Sequence, residues 1–132
     1  MNVKDLRIDD MVMVKAFLYV EKPFIIQSID DDNYVTLYNT NEGRCQVDVS
    51  SIQGYKATKQ FLSKLGAWFD DAKNEHIFTF KGGLRIAIRP QIGGESYIAT
   101  RIGEYRPKFC NFTYIHQLQH WLWDMYKTEI KY

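Results

Sequence analysis

His116 and His120 lie four residues apart, with Asp124 four further on, so on a helix the three side chains project from one side at one-turn intervals. Two imidazoles and a carboxylate at that spacing are ligands for a divalent ion. A zinc centre needs a third or fourth ligand from another element, and none is identifiable, so no metal site is expected and a metal-dependent protein using these histidines stands only as an alternative. Asp30-Asp31-Asp32-Asn33 offers the oxygen ligands calcium uses, but Tyr34-Val35-Thr36-Leu37 after it lacks the glycine and distal glutamate of a calcium loop. It reads as a polar hairpin turn. Gly82-Gly83 and Gly93-Gly94 precede neither the lysine nor the helix start that would wrap amides around a phosphate, so both read as turns. There is no Gly-x-Ser-x-Gly elbow, neither Cys45 nor Cys110 sits in an activating motif, and the acidic residues fall mostly in turns. The expectation is a non-enzyme with no cofactor.

A basic and aromatic pattern is the stronger functional signal. Alternation puts Arg85 and Arg89 on one side of a strand, opposite Leu84, Ile86 and Ile88, and Tyr97 and Arg101 have the same relation in the next strand. With Arg106 and Lys108 beyond, these residues would form a sheet face able to neutralise phosphates and stack a base. The structural alternative is a solvated face with tyrosine and cations as cross-strand neighbours. A second candidate surface is His116, His120, Trp123 and Lys127, which cluster on one side of the C-terminal helix.

The elements that would position these residues read as α+β. In the first part, 1–55, Met11 to Val20 alternates Val12, Val14, Ala16 and Leu18 against Met11, Met13, Lys15, Phe17 and Tyr19, which is strand periodicity. Further strands are expected at Phe24 to Ile29, Tyr34 to Tyr38 and Cys45 to Val49, separated by turns. Such strands form an SH3-like small β-barrel or a meander, with Ser50-Ser51-Ile52 as a closing turn. The second part, 56–132, reads as a compact α-β-β-β-α unit. Thr58 caps a short helix ending near Gly66, strands span His76 to Lys81, Leu84 to Arg89 and Tyr97 to Ile102, and Thr113 caps a helix reaching about Lys127. Tyr114, Ile115, Leu118, Trp121, Leu122, Met125 and Tyr126 share its core-facing arc. That element order is also the order of double-stranded-RNA-binding domains, but the lysine cluster expected at the start of their final helix is absent from Thr113-Tyr114-Ile115-His116.

The 132 residues, 45% hydrophobic and 25% charged, are enough for a packed core and exclude a disordered chain. Residues 1–50 carry five Lys/Arg against nine Asp/Glu, whereas 81–108 carry six basic residues against two acidic ones. The charge is therefore unevenly placed, as on a protein with a polyanion-facing side or simply two differently solvated faces. Two distant cysteines, and an N-terminus without an apolar leader, point to reduced thiols and a cytoplasmic protein. The apolar stretch from Met11 to Val20 contains Lys15 and is too short to span a bilayer, so no membrane association is expected.

Three stretches carry a resemblance: Leu6-Arg7-Ile8-Asp9-Asp10-Met11-Val12, Phe61-Leu62-Ser63-Lys64-Leu65-Gly66-Ala67-Trp68-Phe69 and Tyr114-Ile115-His116-Gln117-Leu118-Gln119. In that order they resemble a group of small uncharacterised bacterial and prophage-borne proteins with a Leu-Arg-Ile start, a Lys-Leu-Gly helix end and a His-Gln-Leu-Gln helix start. Asp9-Asp10 departs from the group's usual Gly-Asn, and His120 from a common asparagine. The resemblance implies a cytoplasmic, mobile-element setting and no particular activity. On the residues alone, His116 and Gln117 would pin the last helix to the sheet by reaching back to its cap and to exposed backbone. The sequence reading as a whole is an accessory or protein-interaction module, with nucleic-acid binding as the first alternative.

Overall fold

The computed structural model describes residues 5–17, 22–31 and 33–132. Among them the chain is a mixed α+β protein with two antiparallel five-stranded sheets and two α-helices. It divides into two compact units, Met1–Tyr55 and Lys56–Tyr132.

The first unit holds β1 (Met11–Val14), β2 (Phe24–Ile29), β3 (Tyr34–Asn39), β4 (Gly43–Asp48) and β5 (Ile52–Gly54), in the order β4-β3-β2-β1-β5. Alternation sends Val12, Val14, Phe24, Ile26, Val35, Leu37 and Ile52 to one face, where they pack with Leu6 and Val49. The expected strand from Met11 stops at Val14, where a 3-10 turn of Lys15–Phe17 follows, and positions 18–20 lie outside the described residues. A further 3-10 turn, Val49–Ser51, leads into β5, a short strand the sequence reading did not separate from its closing turn. Of barrel and meander, β1 to β4 form a meander and β5 crosses back to pair with β1; β4 and β5 end the strand order and no ladder joins them, so the sheet is not a closed barrel. Between Ile26 and Ser28 the β2–β3 register shifts by one residue, a bulge that places Ile26 inside and Ser28 outside although they are two apart.

Polar side chains fix the turns of this unit. Asn39 is buried, donating from Nδ2 to the carbonyls of Lys22 and Pro23 and accepting at Oδ1 from the amides of Asn41 and Glu42. In the β2–β3 turn Asp31 Oδ1 accepts from the amides of Asn33 and Tyr34, the Asx geometry of a polar hairpin. Asp30 accepts from Ser28, Thr36 and Gln46, so one carboxylate ties β2, β3 and β4 together on the outer face.

The second unit runs α1 (Lys59–Lys64), β6 (Trp68–Asp70), β7 (Glu75–Thr79), β8 (Arg85–Pro90), β9 (Tyr97–Arg101), β10 (Phe109–Phe112) and α2 (Ile115–Tyr126). The sheet is an uninterrupted meander, β10-β9-β8-β7-β6. The expected α-β-β-β-α order is therefore corrected to α-β-β-β-β-β-α. The two strands missed, β6 and β10, are short edge strands whose three and four residues carry too little alternation to register. Thr58 caps α1 as expected, its Oγ1 accepting from the Phe61 amide, and Gly66 leaves the helix at φ +109°. Gly82 and Gly83 both take φ +89° in the β7–β8 turn, a conformation that non-glycine residues resist.

Both helices lie against one face of this sheet. On it the register aligns His76, Ile88, Ala99 and Cys110 across four strands, all of them buried, with Phe78, Ile86 and Phe112 beside them. Ser63 of α1 meets His76, and the Cys110 thiol meets the Gln117 carbonyl of α2. Ile115, Leu118 and Leu122 of α2 are fully buried, each worth roughly 1.5–3 kcal/mol of transfer free energy. No helix among the described residues is long and apolar enough to cross a membrane.

Candidate functional site

The register of the second sheet decides which of the expected site residues can act together. Residues paired across an antiparallel ladder point to the same face, and neighbours along a strand to opposite faces. Arg101 pairs with Ile86 and Tyr97 with Pro90, so both lie on the helix-bearing face. Arg85 and Arg89 lie on the other. The four residues expected to form one nucleic-acid face are thus divided two and two between the faces of one sheet.

Three of the four are also engaged within the chain. The Arg89 guanidinium sits 3.1 Å from the Glu75 carboxylate, whose side chain is only 8% exposed. The Tyr97 ring stacks on Phe112 at 5.7 Å, and burial raises its phenol above the usual range. Arg101 lies over the Tyr126 ring at 5.6 Å, and the Tyr126 hydroxyl donates to Glu104 at 3.1 Å. Arg85 is exposed.

The helix surface expected from His116, His120, Trp123 and Lys127 is divided as well. His116 is buried, with Tyr114 stacked at 6.0 Å and His120 edge-on at 5.6 Å. The helix begins with Tyr114 as its N-cap, one residue later than Thr113. Trp123 and Lys127 are exposed and paired, the Lys127 ammonium 5.5 Å above the indole. Among the described residues no group of three or more His, Cys, Asp or Glu is placed to hold a metal ion. The pin expected from Gln117 exists in a different form: Oε1 accepts from the amides of Thr113 and Tyr114, closing the N-terminus of α2.

On the face turned away from the helices, the ladders align Trp68, Ile77, Ala87, Thr100 and Phe109 in one row across all five strands. Ile77 and Ala87 are buried at its centre, whereas Trp68 and Phe109 on the two edge strands are 50% and 63% exposed. At the strand spacing of a sheet the two aromatic ends stand about 19 Å apart. Arg85 and Arg89 flank the row on either side of Ala87. Trp68 and Phe109 were not selected from the sequence because their strands were not. The signal available was the apolar-aromatic content of Trp68-Phe69 and of Phe109-Cys110-Asn111-Phe112, each bounded by turn residues.

The thiols are not activated. Burial pushes the Cys110 thiol up to about 11, and burial followed by the nearby Glu42 carboxylate raises Cys45. Comparison with known protein families, with curated proteins and with solved structures finds no match for the chain.

Proposed function

We propose that the protein is an interaction module whose second unit binds an acidic protein surface through the face bearing Trp68, Phe109, Arg85 and Arg89. The observation that carries this reading is the in-register row with an exposed aromatic side chain at each end. Tryptophan and arginine are the residue types that dominate binding energy in protein interfaces. The acidic character of the partner follows from Arg85, which stands exposed beside the row and would meet a carboxylate there.

Nucleic-acid binding is the weaker reading, because a phosphate track needs several cations on one face and this face holds Arg85 together with an Arg89 already held by Glu75. For the first unit we take the order β4-β3-β2-β1-β5, with a 3-10 turn ahead of β5, as an opened relative of an SH3-like barrel. A cytoplasmic accessory role on a mobile element rests on the resemblance of the three sequence stretches alone.

A photo-crosslinking side chain placed at position 68, and separately at 109, tests the reading in host extract. Both should capture the same acidic protein, and R85A with R89A should abolish capture at either position. Capture of different species from the two positions, or of nucleic acid, overturns it.

A further inference from the structure

Ser63 and His76 are thirteen residues apart in sequence, yet the sheet brings them together: Ser63 Oγ lies 3.3 Å from His76 Nε2. Ser63, in the last turn of α1, is exposed, and His76, in β7, is buried. Ser63 thus stands at the surface while its partner is held in the protein. Phe69 packs on the imidazole with its ring centroid 4.8 Å away and the two planes tilted by 46°. Lys59, one helical turn before Ser63, holds its ammonium 5.6 Å from the centre of that same Phe69 ring and 3.3 Å from Asn74 Oδ1. Asn74 is set by a left-handed turn residue conformation at φ +53°. A hydroxyl, a base, a cation and an aromatic wall therefore meet at the edge formed by α1, β6 and β7.

We propose that Ser63 and His76 form a nucleophile–base pair that accepts acyl groups from activated carboxylic esters, with Lys59 stabilising the developing oxyanion. In the tautomer with the proton on Nδ1, Nε2 accepts from the Ser63 hydroxyl. As Ser63 Oγ attacks the acyl carbon its proton passes to Nε2, the carbonyl oxygen takes the negative charge, and that charge collapses to break the bond to the leaving oxygen. The leaving alkoxide takes the proton from the imidazolium. Water then attacks the acyl-serine with His76 again accepting a proton, which releases the carboxylic acid and restores Ser63.

Two further features suit His76 to this role. Burial, then the positive charge of Lys59, hold its imidazole below the ordinary value, so it is a neutral base at neutral pH, and the Lys59 backbone carbonyl acts in the opposite direction by hydrogen bonding. The activity is independent of the interaction face, since Ser63 and His76 belong to the helix-bearing side. The sequence could not indicate it, because no motif links a helical serine to a strand histidine at this separation.

The test uses the full chain with p-nitrophenyl acetate at neutral pH, following nitrophenolate release and mapping acetylated residues by peptide mass. The expected result is an acetyl group on Ser63 and a release rate at least tenfold above that of S63A. H76Q should lower both labelling and rate, and K59M should lower the rate while leaving the melting temperature near that of the parent. Should H76Q fail to fold, S63A and K59M decide, since both positions are exposed. Acetylation confined to lysines and the N-terminus, or an S63A rate equal to the parent's, overturns the proposal.

Discussion

Ile86 and Arg101 face each other directly across the β8–β9 ladder, and this single pairing places the Arg101 guanidinium on the side of the sheet that carries the helices. Arg85, the neighbour of Ile86, is by the same pairing on the opposite side. Two arginines that look equivalent in the sequence therefore live in different environments, and substitutions should separate them.

Arg89→Ala leaves the nearly buried Glu75 carboxylate without its ion-pair partner and should cost about 1–3 kcal/mol in a urea titration. Arg101→Ala removes a contact with the exposed side of Tyr126 and should cost about 0.5–1 kcal/mol. Glu75→Gln in the Arg89→Ala background should recover part of the loss, because the remaining group is no longer charged. Equal losses for the two arginines would contradict the face assignment.

Gln117→Ala removes the acceptor shared by the Thr113 and Tyr114 amides. The expected loss is about 1 kcal/mol, that of a helix cap, with faster amide hydrogen exchange confined to the start of α2. Thr113→Ala should cost less, since Thr113 does not occupy the cap position.

Asp30 accepts hydrogen bonds from Gln46, Ser28 and Thr36, in that order of effect, which lowers its carboxyl below the ordinary 3.8. A carboxyl with a depressed folded value binds a proton more readily when unfolded, so its contribution is complete above the unfolded value and fades as pH falls through the folded one. Asp30→Asn should therefore flatten the decline in melting temperature below about pH 4, and leave the neutral-pH profile parallel to the parent's. A parent decline that Asp30→Asn leaves unchanged would show that the carboxylate is not linked to folding.

The Cys110 thiol, raised to about 11, is almost entirely protonated at pH 8, with a thiolate fraction on the order of one in a thousand. Labelling by a disulfide reagent should be slow in the native protein, reach Cys45 first, and become rapid for both thiols in guanidinium chloride.

The fold was legible where alternation or capping had length to work with. Thr58, Gly66, the Gly82-Gly83 turn and the three central strands of the second sheet could be read directly, because each depends on local chemistry. The edge strands β5, β6 and β10 escaped, being three or four residues long and defined by pairing with distant partners. The site suffered from the same limit. Alternation within β8 and within β9 was read correctly, but the phase of one strand relative to the other is set by the ladder, so Arg85 and Arg89 were joined to Tyr97 and Arg101 across a sheet that separates them. His116, on the polar side of the helix by its periodicity, is buried beside Tyr114 and His120, surroundings that periodicity within one helix does not describe.

The bulge in β2 gives that strand a tolerance of shortening that its neighbour lacks. Ile26 and Ser28 share sequence parity but lie on opposite faces because Gln27 is the residue in excess. Deleting Gln27 would leave Ile26 opposite Leu37 and Ser28 opposite Thr36 with unbroken alternation, so the apolar interior and the Asp30 ties to Thr36 and Gln46 could both be kept. In β3, whose ladder to β4 runs without a shift, removing Thr36 would instead set the core residues Val35 and Leu37 on opposite faces. One strand thus carries a spare residue, and the next has none to lose.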